Sequence, residues 1–329
     1  MRSLSARQLV GRRVACLVVL ALAAAFGTVS RASATQLDVQ VLTSTPKAGQ
    51  PVALRVVDPS GAGGAEAKVC LLPRRGPGPC TSIKLAAGQA EAMVSLRPSR
   101  PGIWGVEIQH RHVTDVAVQP PGGLLRVLVT GDSLADTPAR ALARALPGRA
   151  EVINEALVGS GITKLGLFDW VSFAVGQGRR DRPDAVFMFV GGNDSFPLRS
   201  SSGREVRCCG REWIRLYADR VDQVIDASSR NGRAWVWWLT LPTPRDPRLA
   251  RRWTRVNTAL RLAAAMRPGE VGLINVAAVI SPGGKYTDTI QWGGQTLDVR
   301  QTDGIHLSDA GAMVAAAMMT DQLRAVGAL

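Results

Sequence analysis

Four short motifs stand in a fixed order along the chain: Gly131-Asp132-Ser133-Leu134, the stretch Asn154 to Gly161 (Asn-Glu-Ala-Leu-Val-Gly-Ser-Gly), Gly191-Gly192-Asn193-Asp194, and Asp303-Gly304-Ile305-His306. Their residue types are the parts that nucleophilic acyl chemistry needs: a hydroxyl, a backbone amide donor, a side-chain amide donor and an acid–base pair. Each string alone is ordinary turn chemistry. Four in order, each just after an expected strand or just before an expected helix, point to one site.

Ser133 follows the first strand of its region and precedes a helix. A serine there sits on a tight turn, its hydroxyl exposed and helix-start amides facing it, a setting that activates nucleophiles and stabilises oxyanions. The plain alternative is a capping or turn serine. A serine nucleophile needs a base, usually histidine. His110 and His112 fall in a separate N-terminal region, which leaves His306 as the candidate base, three residues after Asp303. That spacing lets the carboxylate orient the ring and stabilise the imidazolium; the alternative is a capping aspartate and a surface histidine before the last helix. Asn193 ends a strand where its amide would reach over the sheet rim. Gly159 or Gly161 would present an unobstructed backbone N–H. Losing one such donor typically costs about 3–4 kcal/mol in the transition state. Taken singly, Asn193-Asp194 reads as a turn and the glycine pair as a loop.

This combination resembles the SGNH (GDSL) hydrolase family, whose four blocks carry Ser, Gly, Asn and His, over residues 124–327. Phe168-Asp169-Trp170 and Glu212-Trp213 through Tyr217 to Arg220-Val221-Asp222 look like an exported bacterial subgroup. The resemblance implies Ser133 as nucleophile, His306 as base and Asp303 as its partner. The Ser133 N–H, the N–H of Gly159 or Gly161, and the Asn193 side chain would form the oxyanion hole. It also implies a flavodoxin-like three-layer α/β/α fold, no cofactor and no metal. The reaction implied is cleavage of short acyl esters, O-acetyl groups foremost, on cell-envelope polysaccharide. An O-acyltransferase would use the same residues with a sugar hydroxyl in place of water.

Three other readings fit less well. Gly131-Asp132-Ser133-Leu134-Ala135 nearly matches the nucleophile elbow of α/β-hydrolases, but there the nucleophile follows several strands and the acid lies far from the histidine. A metallophosphoesterase could use the Gly-Asp and Gly-Asn-Asp strings, yet it needs several histidines. Gly159-Ser160-Gly161 lacks the third glycine of a dinucleotide fingerprint.

The elements that must position these residues come in two textures. From Leu37 to Val118 the pattern alternates with period two: Leu37–Leu42, Val52–Val57, Lys68–Leu72, Thr81–Leu85, Glu91–Leu96, Ile103–Gln109 and His112–Val118 predict seven short strands. That spacing reads as a β-sandwich, and Thr45 to Val52 resembles the opening of many bacterial immunoglobulin-like modules. Pro120-Pro121-Gly122-Gly123 is a linker. Beyond it, buried runs at Leu124–Thr130, Val152–Leu157, Ala185–Val190, Ala234–Leu241 and Gly272–Val276 alternate with helical patterns, which implies a parallel sheet covered on both faces. The expected organisation is a signal segment over 1–34, an immunoglobulin-like β-sandwich over 35–119, a linker over 120–123 and a hydrolase domain over 124–329. In such sheets reactive residues sit at the carboxyl ends of the strands.

Residues 1–34 read as an export signal: a charged start with Arg2, Arg7, Arg12 and Arg13, an apolar stretch from Val14 to Phe26, and Ala32-Ser33-Ala34 before the cut. The Arg12-Arg13 pair admits a twin-arginine route, and an uncleaved anchor is the alternative. The expected location is periplasmic or secreted. Lys and Arg total 40 against 26 Asp and Glu, a net charge of +14, and removal of the signal brings it nearer +9. The excess suits anionic envelope polymers or lipid headgroups; nucleic acid binding lacks a supporting motif. Cys70 and Cys80 flank a turn between strand-like runs, and a bridge there would stabilise by roughly 2–3 kcal/mol. Cys208-Cys209 would pair as neighbours or stay reduced, and sequence leaves three pairings open.

Around the site, Phe196–Arg211 carries Arg199, Arg204, Arg207 and Arg211 and reads as a solvated basic loop, or as a rim recognising an acidic glycan or phospholipid. Trp235, Trp237 and Trp238 read as core, and Trp292 as a candidate substrate contact. A noncatalytic envelope-binding scaffold, with the β-region doing the binding, is the alternative from another class.

Overall fold

The computed structural model describes residues 36–329, so the export-signal reading lies outside the described residues. Gln36–Leu329 forms one compact unit that contains two separate hydrophobic cores.

The first core belongs to seven antiparallel strands: β1 (Asp38–Val41), β2 (Val52–Val57), β3 (Glu66–Pro73), β4 (Cys80–Lys84), β5 (Glu91–Leu96), β6 (Gly102–Ile108) and β7 (Arg111–Val118). They form a three-stranded sheet in the order β1-β2-β5 and a four-stranded sheet in the order β4-β3-β6-β7. Burial alternates along β2 and β6, as period-two patterning requires when one face of each sheet meets a core. Leu54, Leu71, Val106 and Trp104 fill that core. Cys70 faces Cys80 across the β3–β4 ladder, with their Cα atoms 4.1 Å apart.

The second core surrounds a five-stranded parallel sheet. Its elements run β8 (Leu125–Gly131), α1 (Asp136–Ala145), β9 (Ala150–Ala156), α2 (Trp170–Arg180), β10 (Ala185–Phe189), α3 (Arg211–Ser229), β13 (Trp235–Leu239), α4 (Pro247–Met266), β14 (Val271–Ile274), α5 (Val276–Ile280) and α6 (Asp309–Ala325). Two short hairpins interrupt it, β11 (Leu198–Arg199) with β12 (Glu205–Val206) and β15 (Thr289–Trp292) with β16 (Gln295–Asp298). The strand order β14-β13-β10-β8-β9 is the flavodoxin-like doubly wound order, which places its switch point between β8 and β10. Helix α1 packs against α6, while α3 packs against α2 and α4, giving a three-layer α/β/α arrangement. β10 and β13 are buried at every position, as a strand covered on both faces must be; Trp235, Trp237 and Trp238 are core.

The β-module is fastened to the amino-terminal end of the parallel sheet. Trp235, the first residue of β13, donates its indole N–H to Pro101 O at 2.8 Å, and the Arg100 guanidinium lies 3.6 Å above its ring. Ser99 Oγ donates to Gly232 O, and Ile103 N donates to Val326 O. Burial pulls Arg100 down to about 10. These contacts lie at the opposite end of the sheet from the strand termini that carry the motifs.

Candidate active site

β8 and β10 diverge at the switch point, and each ends in a motif. Ser133 opens a short 3-10 turn directly after β8, with Asp132 as its cap. Asp132 takes the Leu134 amide with its carboxylate and the Ala135 amide with its carbonyl, which leaves the Ser133 amide beside the hydroxyl. Gly191-Gly192-Asn193-Asp194 follows β10 by one residue. Asp303 and His306 sit on the turn that precedes α6, whose cap Ser308 accepts from Gly311 N.

The three residues expected to act together are in contact. His306 Nδ1 lies 2.6 Å from Asp303 Oδ2, and His306 Nε2 lies 2.8 Å from Ser133 Oγ. Asp303 Oδ1 also accepts the Ile305 and His306 amides at 2.8 and 3.0 Å. Partial burial pushes the Asp303 carboxyl up, but these hydrogen bonds outweigh it and hold the group below its ordinary value. An ionised Asp303 fixes the Nδ1–H tautomer and leaves Nε2 free to accept the serine proton. Ser133 and His306 are each half-buried.

Asn193 donates from Nδ2 to Ser160 O at 2.9 Å, which joins the third motif to the second. Gly159 and Gly161 differ in kind. Gly159 has φ +77°, is exposed, and has open space where a side chain would stand. Gly161 is buried, and a Cβ there would stand 2.6 Å from Asp194 Oδ1. Close approach to Asp194 explains the second glycine.

Two buried carboxylates hold the motifs together, and the sequence reading gave neither a role. Asp132 accepts Leu134 N with one oxygen and Gly191 N and Gly192 N with the other, at 2.8–3.0 Å. It thereby ties the serine turn to the Asn193 loop. Burial pushes it up to about 6, against the pull of those three amides. Asp194 accepts Ile162 N, Thr163 N, Thr163 Oγ1 and the Tyr217 hydroxyl. Burial raises Asp194 too, and the Tyr217 hydroxyl is driven well above its ordinary value by burial and by that neighbouring charge. The sequence marked Tyr217 only as part of the stretch resembling an exported subgroup; its place among apolar residues of α3 conceals the phenol's task.

The histidine turn is braced from beneath. Buried Arg300 donates to Ile305 O, Thr243 O and Ser281 Oγ. Arg245 donates to Thr302 O from its side chain and to Gly304 O from its backbone. Of the expected rim arginines, Arg204 pairs with Glu212 at 2.5 Å and Arg199 donates to Gly203 O, both within or beside the β11–β12 hairpin. Arg207 projects into a cleft with Cys208 and Cys209. Trp292 lies on the β15–β16 hairpin, about a third exposed. Among the described residues no cluster of His, Cys, Asp or Glu has metal-binding geometry, and no helix is long and apolar enough to cross a membrane.

The model of a family described as "Protein of unknown function (DUF459)" matches residues 126–322. No curated protein sequence matches the chain. Among solved structures, the chain is similar to a family two carbohydrate esterase from Clostridium thermocellum in complex with cellohexaose, at 16% identity and a TM-score of 0.40, over 87% of this chain and 95% of that one. It is also similar to the salicylyl-acyltransferase SsfX3 from a tetracycline biosynthetic pathway, at 15% identity and a TM-score of 0.38, over 86% of this chain and 84% of that one. What the site does is therefore read from its own residues.

Proposed function

Since the chain belongs to the DUF459 family of proteins of unknown function, its activity has to come from the site, and we propose that it is an exported SGNH-type serine esterase cleaving short acyl esters, O-acetyl groups foremost, on cell-envelope polysaccharide. The observation that carries the reading is the unbroken line from Asp303 through His306 to Ser133, at 2.6 and 2.8 Å. Hydrogen-bonded nucleophile, base and orienting carboxylate define such a relay by geometry rather than by sequence order.

The chemistry follows from the atoms. His306 Nε2 takes the Ser133 proton as Oγ attacks the ester carbonyl carbon. Negative charge gathers on the carbonyl oxygen, where the Ser133 amide, the Gly159 amide and the second N–H of the Asn193 side chain would converge. The carbon–oxygen bond of the alcohol then breaks, and the alcohol leaves with the proton from His306. Water gives its proton to the same nitrogen, its oxygen attacks the acyl carbon, and the acid departs as Ser133 recovers its hydrogen. Asp303 keeps its negative charge throughout and stabilises the imidazolium in both halves. The open φ and exposure of Gly159 support it over Gly161 as the second donor. The β-module places no residue in this site.

The test is hydrolysis of a p-nitrophenyl ester series from acetate to laurate by the protein and by Ser133→Ala. Turnover should fall with chain length and vanish in the variant, whose thermal midpoint should stay within a degree or two of the parent. Activity retained in Ser133→Ala would remove the serine assignment; a rate rising toward laurate would remove the short-acyl assignment.

A further inference from the structure

Beside the site lies a cleft of about 580 Å³ lined by Ser195, Pro197, the Cys208-Cys209 pair and five arginines: Arg207, Arg248, Arg251, Arg252 and Arg255. Four of the five stand on α4 at spacings of three and four residues, so they share one helix face. That face extends roughly 10 Å along the axis. It begins at the amino-terminal end of the helix, where the macrodipole is already positive. Like charges three and four residues apart also repel. The arrangement therefore works against the helix that carries it.

No counter-charge accounts for it. α4 contains no Asp or Glu. Among the described residues none of its four cleft arginines forms a salt bridge, while Arg207 has only Glu205, at 3.5 Å. Asp246, the nearest acid in sequence, caps the helix through Arg248 N and Leu249 N. All four arginines are exposed.

Three contacts tie the elements of the cleft to the loops of the reaction site. Ser195 is two residues from Asn193 and lies 3.5 Å from Arg252. Trp253, between the arginines, donates to Gly192 O. The loop leading into α4 carries Arg245, which holds the turn of Asp303 and His306. A chain lying along the arginines would thus arrive between the Asn193 loop and the histidine turn.

We propose that this face is a subsite for a carboxylate-bearing polysaccharide, and that the acyl group removed at Ser133 is carried by such a polyanion; the second half rests on the esterase reading above. Guanidinium forks pair with carboxylates two bonds at a time, and a row of them suits a charge repeated along a polymer. A lipid surface is disfavoured because the apolar residues of α4 nearest the arginines, Trp253, Val256 and Leu260, are buried in the core, and its exposed ones, Leu262 and Met266, lie beyond Arg255 in the last turns of the helix. A nucleic acid strand is disfavoured because the cleft has no aromatic lining on which bases would stack.

The experiment compares acetate release from O-acetylated polygalacturonate and from O-acetylated dextran, with p-nitrophenyl acetate as a neutral reference. It uses the full chain and a variant with Arg248, Arg251, Arg252 and Arg255 all changed to Gln. A one-sign cleft raises encounter rates by about 10- to 1000-fold, so kcat/KM on the acidic polymer should exceed that on dextran by about tenfold or more at low salt. The advantage should disappear in the fourfold variant and at high salt, with p-nitrophenyl acetate turnover unchanged. Equal rates on the two polymers, or an advantage surviving in the variant, would overturn the proposal. Binding of unesterified polygalacturonate, measured by calorimetry, separates this inference from the esterase reading: binding lost in the variant supports the subsite even if no ester is turned over. An Arg251→Gln/Arg255→Gln double variant should bind with intermediate affinity. Tighter binding to phosphatidylglycerol vesicles or to single-stranded DNA than to polygalacturonate would overturn the glycan assignment.

Discussion

Replacing Asp194 by asparagine keeps the volume of the side chain and removes half of what it does. Its two oxygens receive four hydrogens: Oδ1 those of Thr163 N and Thr163 Oγ1, both at 2.8 Å, and Oδ2 those of Ile162 N at 3.1 Å and Tyr217 OH at 2.7 Å. An amide can present only one acceptor oxygen. Whichever way it turns, its NH2 meets one hydroxyl, which can rotate to accept, and one backbone N–H, which cannot. One amide is therefore orphaned in a buried place, at about 1–3 kcal/mol. The bonds that survive lose their charge assistance, at about 1 kcal/mol each. Relief from burying a carboxylate offsets part of this, since burial is what raises the group. The net loss should be about 2–4 kcal/mol, a fall in thermal midpoint of roughly 5–12 °C. The effect on rate should be separable. The orphaned amide belongs to Ile162 or Thr163, directly after Ser160, whose carbonyl anchors Asn193. Displacement of the donor lowers kcat on p-nitrophenyl acetate more than it raises KM. Calorimetry and steady-state kinetics on the same preparation read both. An unchanged midpoint together with unchanged kcat would refute the claim that Asp194 sets the loop.

Asn193→Ala removes one oxyanion donor and should cost about 10²–10³ in kcat with little change in KM; a loss confined to KM would move Asn193 from the transition state to substrate binding. Asp132 should leave a signature in stability against pH. Its native value of about 6 lies above the ordinary carboxylate value of 3.8, so between these values the native state holds a proton that the unfolded chain has released. Stability falls as pH rises through that window, by about 3 kcal/mol in all. The difference in unfolding free energy between the parent and Asp132→Asn, followed from pH 4 to pH 7, should carry that slope; a flat difference would mean the three amides hold Asp132 ionised over the whole range.

Much of this architecture was legible because its signals are local. All seven N-terminal strands fall within two residues of where period-two alternation places them, since each has one face in a core. β10, β13 and β14 were readable as apolar runs and β8 as one with a single arginine. β9, expected as a buried run over Val152–Leu157, is instead the edge strand of the sheet and has no fully buried position, which is why it tolerates Glu151, Asn154 and Glu155. What escaped the sequence was relational. Asp194 stood inside a recognised motif, yet its task depends on Thr163 and Tyr217, which lie 31 and 23 residues away. Gly159 and Gly161 were indistinguishable as letters, because only the approach of Asp194 makes the second a matter of space. The arginines of α4 escaped for a related reason. Those of Phe196–Arg211 drew attention as a basic loop, but Arg204 is neutralised by Glu212 once the hairpin folds. The arginines of α4 were scattered among apolar letters, and only helical winding gathers them on one face. Charge density along a chain is thus a poor guide to charge density on a surface. A charge matters to a ligand when folding leaves it without a partner and beside others of its sign, and the α4 face, joined by Arg207 from the loop, meets that condition.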